Sequence, residues 1–263
     1  MPRLDSTRYT VTFAAIVCVV CALLVSVAAV GFRDRQDTNA VVFRQKNVLL
    51  AAGLMQPDAD LPRAELLRLF EQRIRTVLVE LASGEVAQPP GIDPRTYDQR
   101  KARNDLALSA TAPPNNAGVS RIAKYAAVYH VMEGDRARQV VIPIEGVGMW
   151  GGVCGFLALD ADGTTIRGLT FYEQKETPGL GGEISNPRWQ ALWQGRKAYD
   201  DKWQPRIRLI KGRAGPPDKD PYQVDALSGA TITSNAVSRI VAFWLSDAGF
   251  AKYLRRFSEG ARL

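Results

Sequence analysis

The stretch VDALSGATITSNAVSRIVAFWL, residues 224–245, contains residue types that suit the binding of a phosphate group. Its second half has the one-sided apolar spacing of a helix packed on a core, at Val237, Ile240, Val241, Trp244 and Leu245. Small and hydroxyl-bearing residues gather where that helix begins: Ser228, Gly229, Ala230, Thr231, Thr233 and Ser234. A helix N-terminus offers unpaired N–H groups and a positive dipole end, which attract phosphate. The residue types are equally compatible with an ordinary capped helix start.

A second stretch, FYEQKETPGLGGEI at residues 171–184, follows a strand-like run and contains acids, a Thr-Pro pair and glycines. Glycine tolerates positive φ and lets the backbone approach a flat ligand closely. The alternative interpretation is a tight turn with no ligand.

Composition and charge argue against several classes of function. The net charge is +7, but Lys and Arg are scattered and the aromatic ladders typical of nucleic-acid binding are missing, so we expect no nucleic acid partner. Cys18 and Cys21 lie in the most apolar segment and Cys154 stands alone. We therefore expect neither a disulfide framework nor a metal centre. The single histidine, His130, lies in an apolar strand-like run, which favours a structural role.

An uncharged stretch from Tyr9 to Phe32 predicts a membrane-spanning helix. It is long enough for the roughly 20 residues that cross a bilayer, and it exceeds the about 7 to 15 apolar residues of a signal peptide, the alternative interpretation. Arginines precede and follow it, and by count the positive-inside rule points to a cytoplasmic C-terminal domain. Because long folded domains are translocated largely regardless of charge, the sequence leaves the orientation open.

Four regions follow from these patterns: a short N-terminal tail (1–8), the transmembrane helix (9–32), a helical stalk and connecting region (33–118), and the main domain (119–263). In the third region we predict a helix over residues 40–54 and another over residues 62–84. The second helix would place these residues on one face: Leu67, Phe70, Ile74, Val77, Leu78 and Leu81. Residues 88–118, with two Pro-Pro pairs, are predicted to form a long loop.

The main domain is predicted to be α+β. Strand-like runs at residues 125–132, 138–144, 152–159 and 165–173 are separated by short turns, which favour antiparallel neighbours. A helix over PRWQALWQG, a strand around RIRLI and the helix opened by Thr231 follow. Consecutive strands followed by helices indicate a mainly antiparallel sheet with flanking helices.

Several segments together resemble the FMN-binding domain family, which is shared by the NqrC proteins of the sodium-translocating NADH:quinone reductase and by their counterpart in the related Rnf complex. The resemblance is carried by RQKNVLLAAGL, GMWGGVCGFLALDADGTTIRGLTFYEQKETPGLGGEISNPRW, IRLIKG and VDALSGATITSN, and with the N-terminal span it covers nearly the whole chain. The Rnf protein typically has histidine where Gln174 stands and lacks the RQKN-type stalk. The NqrC family is therefore favoured, although Lys175 departs from the small residue expected there.

By this resemblance DALSGAT is the flavinylation motif, and Thr231 accepts FMN in a phosphoester bond from FAD. A separate, magnesium-dependent flavin transferase would run this reaction. The resemblance makes residues 119–263 the FMN-binding domain and implies further cofactor-binding residues there. Four belong to the motif itself: Asp225, Ser228, Gly229 and Ala230. The others would lie around the flavin: Met149, Trp150, Glu176, Thr177, Leu180 and Lys211.

The resemblance also implies the function. The chain would be a single-pass inner-membrane protein within a multi-subunit complex, relaying electrons from NADH towards ubiquinone through FMN while sodium is exported. The FMN domain would face the periplasm, and no side chain would need to act as a catalytic acid, base or nucleophile. The alternatives are the Rnf-type counterpart, a membrane-tethered module that binds a phosphorylated ligand non-covalently, and, less favoured, a free-standing flavin reductase.

Overall fold

A computed structural model describes residues 7–260 of the chain, apart from the side chains at positions 34 and 37. The chain divides into two compact units, one up to Arg44 and one from Gln45 onward. The predicted N-terminal tail, residues 1–8, lies outside the described residues except for Thr7 and Arg8.

The first unit contains the predicted apolar helix. Helix α1 (Thr7–Gly31) is long and apolar enough to cross a membrane, and none of its residues is buried. Helix α2 (Arg33–Ala51) follows and includes much of the helix predicted over residues 40–54. The last turns of α2 belong to the second unit, where Val48 and Leu49 are fully buried.

As far as residue 260, where the described part ends, the second unit contains short helices and ten strands. Its other helices are α3 (Arg63–Arg73), α4 (Gln99–Asn104), α5 (Pro187–Gln190), α6 (Thr231–Trp244) and α7 (Ala251–Ser258). Two 3-10 turns cover Gly181–Ser185 and Ala191–Trp193. The strands are β1 (Ile74–Glu80), β2 (Glu85–Ala87), β3 (Ser109–Thr111), β4 (Arg121–Ala123), β5 (Tyr125–Glu133), β6 (Arg136–Val147), β7 (Gly152–Asp160), β8 (Ile166–Glu173), β9 (Arg208–Ile210) and β10 (Gln223–Asp225).

Six strands form one antiparallel sheet in the order β2-β1-β5-β6-β7-β8. The predicted runs 125–132, 138–144, 152–159 and 165–173 correspond to β5 to β8, and the short turns between them make each the neighbour of the next. Separate pairs join β3 to β4 antiparallel and β9 to β10 parallel. The α+β class and the mainly antiparallel sheet are confirmed.

The predicted helix over residues 62–84 is wrong in its second half. Helix α3 ends at Arg73, and the next residues form β1, which pairs with β5 inside the sheet. The apolar spacing of this segment fits either structure, but IRTVLVE is rich in β-branched residues and gains seven residues of pairing with β5. A strand from the predicted connecting region therefore joins the sheet of the main domain.

Two smaller predictions also change. The segment 88–118, expected to be a loop, contains α4 and β3. Asp98 caps α4, since its carboxylate accepts the N–H groups of Arg100 and Lys101. The helix predicted over PRWQALWQG is one α-helical turn, α5, continued by the 3-10 turn Ala191–Trp193.

Helix α6 packs across β6 and thereby places its own N-terminus relative to the sheet. The indole N–H of Trp244 donates to the carbonyl of Glu145 at 2.6 Å. A Cβ on Gly146 would overlap Cγ1 of Ile240, so only glycine permits this close approach. The loops that follow β6 and β8 consequently lie close to the first turn of α6, as the contacts below show.

Candidate functional site

Thr231 is the first residue of α6, and its side chain is exposed. The N–H groups of a first helical turn have no partner within the helix, so this end of α6 presents both a hydroxyl and free donors. Gly229, two residues earlier, has a φ of +74°, a conformation that glycine adopts without strain. The turn is held from inside, because the hydroxyl of Ser234 accepts the N–H of Leu227 at 3.0 Å.

Glu176 joins three segments of the chain around this helix end. It is 4% exposed, and its Oε1 accepts the N–H groups of Met149 at 2.9 Å and Trp150 at 3.0 Å. Its Oε2 accepts the hydroxyl of Thr233 in α6. The carboxylate therefore ties the 148–151 turn, its own loop and α6 together. Glu176 positions the site from beneath.

Two glycines make room for this carboxylate. A Cβ on Gly148 would lie 2.5 Å from Oε1 of Glu176, and one on Gly181 would lie 2.8 Å from Oε2. Contacts that short do not occur in folded proteins, so a side chain at either position would displace Glu176. Gly148 and Gly181 therefore permit a close approach of the protein to itself.

Large apolar side chains are exposed around Thr231, above the buried Glu176. The exposed fractions are 48% for Met149, 62% for Trp150, 45% for Leu180 and 53% for Ile232. Leu180 also lies against the motif, since its Cδ2 is 3.1 Å from the position that a Cβ on Gly229 would take. Exposed apolar side chains beside a helix N-terminus match a ligand with a flat apolar body and an anionic end.

The remaining predicted residues lie in the loops around these groups. Asp225 ends β10, and its carboxylate accepts the N–H of Ala214 at 2.8 Å, which braces the loop that follows Lys211. Lys211 is exposed and follows β9, whose last residue pairs with Asp225. The side chain of Thr177 is exposed, and its carbonyl accepts the N–H groups of Leu180 and Gly182.

The comparisons with known proteins agree with this geometry. The family model for the FMN-binding domain matches residues 148–246, a range that contains every predicted site residue. The NqrC protein of the Na(+)-translocating NADH-quinone reductase of Yersinia pestis is 41% identical over 260 residues, covering 98% of this chain and 95% of that protein. The chain belongs to the NqrC family. It contains an FMN-binding domain, and of the two families that the sequence resembles, NqrC is confirmed.

Other members of the NqrC family extend this result to the fold. The protein from Pseudomonas aeruginosa is 38% identical over 263 residues and matches 99% of both chains. The crystal structure of Shewanella oneidensis NqrC superposes with a TM-score of 0.72 at 32% identity, covering 82% of this chain and 96% of that one.

Two contributors to this NqrC-type site are not singled out by the sequence. Thr233 is grouped there only with the small hydroxyl residues, but its buried side chain holds Glu176. Ile232 adds to the exposed apolar surface, and its signal is an apolar residue inside an otherwise small and hydroxylated stretch. Among residues 7–260 no group of three or more His, Cys, Asp or Glu is arranged to hold a metal ion.

Proposed function

We propose that Thr231 carries FMN through a phosphoester bond and that the chain relays electrons in a Na(+)-translocating NADH:quinone reductase. The observation that carries this proposal is the exposed hydroxyl at the start of α6, surrounded by exposed apolar side chains. FMN, when bound, supplies a ring that accepts and donates electrons, so the protein needs only to hold and tune it.

Attachment of the flavin follows from the position of Thr231. A flavin transferase would bring FAD to the exposed hydroxyl. The Thr231 oxygen would form a bond to the phosphorus of the FMN portion as the pyrophosphate bond of FAD breaks, with AMP as the leaving group and release of the hydroxyl proton. Gly229 and Ala230 add little bulk beside the phosphate, and Ser228 is exposed beside them. The first turn of α6 then offers its N–H groups to the phosphate oxygens.

The residues around Thr231 have distinct tasks in this proposal. Met149, Trp150 and Leu180 would cover the faces of the flavin ring, and Ile232 adds apolar surface on the helix. Thr177 would hydrogen-bond a polar group of the flavin, and the exposed Lys211 would balance negative charge. Glu176 and Asp225 act indirectly, because their carboxylates are engaged by protein groups.

The membrane topology is part of the proposal. Helix α1 anchors the chain in the bacterial inner membrane, and the FMN domain faces the periplasm, where it meets the other proteins of the complex. The length and composition of α1 support the anchor, while the side is what the sequence resemblance implies. Labelling of intact spheroplasts with a membrane-impermeant lysine reagent tests the side. A domain that is labelled only after lysis contradicts the periplasmic placement.

The attachment is tested by intact-mass measurement of protein produced together with the flavin transferase. Wild type is expected to carry an FMN-sized mass increment and to give a flavin-fluorescent band that survives boiling in denaturing gels. Thr231→Ala removes the only proposed acceptor oxygen, so both signals should be lost. The matched control Thr177→Ala, which removes another exposed hydroxyl of the site, should keep the increment. A non-covalent phosphate-binding module is indicated instead if flavin leaves wild type on denaturation.

A further inference from the structure

Lys175 lies between two acids whose carboxylates are already engaged. Glu173 at the end of β8 forms an ion pair with Arg100, and Glu176 is buried under the site. The side-chain carbonyl of Gln174 accepts the N–H of Glu176 at 2.5 Å, which folds the chain back directly after the strand. Glu176 thus turns inward, whereas Lys175 remains exposed.

The stem of Lys175 lies along the turn that presents Met149 and Trp150. Measured from the position that a Cβ on Gly151 would take, Cδ of Lys175 is at 3.2 Å, Cβ at 3.6 Å and Cγ at 3.7 Å. Gly151 closes that turn, since its carbonyl accepts the N–H of Gly148 at 2.7 Å. The ammonium group is two bonds beyond Cδ, so its charge stays close to the turn that Gly151 closes.

None of the acids described in this loop forms an ion pair with Lys175. Glu173 is paired with Arg100, Glu176 accepts two N–H groups and a hydroxyl, and Glu183 accepts the side-chain amide of Asn186 at 2.7 Å. In the part of the chain that the structure describes, no ion pair involves Lys175. A lysine with only a packing role would place its aliphatic stem in the same way. The effect of its ammonium charge is therefore the property to measure.

We infer that Lys175 tunes the reduction potential of the flavin, an inference that rests on the proposed function. A flavin ring that takes up two electrons and one proton gains a negative charge. An ammonium group beside the site would stabilise that charge and so favour the reduced form. The electrons come from the donor of the complex, so Lys175 exchanges neither electrons nor protons. It acts through its charge alone.

Redox titration of full-length protein matured with the flavin transferase tests this inference. Lys175→Gln should shift the midpoint potential to more negative values, corresponding to about a fivefold weaker preference for the reduced form, the size of a unit-charge interaction near water. Lys175→Arg keeps the charge and should keep the potential. The shift should shrink in 1 M salt, where the Debye length is about 3 Å.

A control and two outcomes separate this inference from the proposed function. Lys202→Gln removes an exposed lysine in the turn after Asp200, outside the site, and should leave the potential unchanged. An unchanged potential in Lys175→Gln, or an equal shift in Lys175→Arg, overturns the role of the charge while FMN is still seen by mass. Wild-type protein without bound FMN overturns both proposals, and the mass measurement shows this before any titration.

Discussion

The loops around Thr231 and the core beneath α7 place the same kinds of residue in opposite ways. In the site loops, residues 148–151, 174–182 and 228–233, apolar side chains such as Trp150 are exposed and Glu176 is buried. In the α7 core, formed by His130, Trp244, Phe250, Tyr253 and Phe257, every ring is at least nine-tenths buried. The rings of the α7 core are covered by the protein itself, whereas the apolar surface of the site loops suits coverage by a ligand.

The two regions also differ in what holds them in place. The α7 core gains its free energy from burial of apolar surface against the sheet, at about 25 cal/mol per Å². The site loops owe their arrangement to the hydrogen bonds that Glu176 accepts. Polar groups can therefore fix a site whose apolar residues remain exposed to the ligand.

Substitution of one tryptophan in each region should give the largest contrast in the free energy of unfolding. Trp244→Ala removes a fully buried ring and its hydrogen bond to the Glu145 carbonyl, so the free energy of unfolding should fall by about 4 kcal/mol. Trp150→Ala removes an exposed ring and should change it by less than about 0.5 kcal/mol. Urea denaturation measures both values. If Trp244→Ala does not fold, Trp244→Phe should still show a loss of about 2 kcal/mol.

The same two positions should affect flavin fluorescence in the reverse order, with the larger change at Trp150. Trp150→Ala removes a ring proposed to lie on the isoalloxazine and should raise flavin fluorescence, since a stacked indole quenches it. Trp244→Phe should leave the fluorescence of the attached flavin unchanged. Equal effects of the two variants on both stability and fluorescence would remove the distinction between the regions.

Removal of the Glu176 carboxylate tests the polar support of the site loops. Glu176→Ala leaves the N–H groups of Met149 and Trp150 and the hydroxyl of Thr233 without their partner, which should cost about 3 kcal/mol. Glu176→Gln keeps one carbonyl acceptor and should cost about 1 kcal/mol. In native-state hydrogen exchange, the amides of Met149 and Trp150 should lose protection in Glu176→Ala, while amides of β5 keep theirs. A loss of less than about 0.5 kcal/mol contradicts this role.

The sequence predicts the secondary structure and the proposed attachment residue, Thr231, more readily than the hydrogen bonds that hold the site loops in place. The strands β5 to β8 follow from apolar runs separated by short turns, and α6 follows from its one apolar face. The pairing of Glu176 with Thr233 spans 57 residues and depends on how α6 crosses the sheet, so no local pattern reveals it. The helix prediction for Ile74–Glu80 is wrong for a related reason, because the apolar spacing fits a helix and only pairing with β5 decides for a strand.

A third expected effect on stability is a pH dependence confined to the α7 core. His130 is 1% exposed, is hydrogen-bonded to Tyr253 and stacks on its ring. Burial, with a smaller contribution from the charge of Arg75, lowers the pKa of His130 to about 4 from its ordinary value near 6.5. A base with a lowered pKa in the folded state contributes stability that is present above pH 6.5 and lost as the pH falls towards 4. Between pH 7 and pH 5 this loss should be about 2 kcal/mol.

His130→Phe isolates that contribution, since the phenyl ring keeps the packing against Tyr253 and Phe257 but takes up no proton. Its free energy of unfolding should be lower than that of wild type at pH 7, where the Tyr253 hydroxyl loses its partner, and should vary less between pH 7 and pH 5. Because the chain has one histidine, its imidazole proton resonance reports the folded-state pKa directly. A measured value near 6.5, or equal pH slopes for both proteins, would mean that water reaches this ring. The α7 core would then not exclude water, which is the property that distinguishes it from the site loops.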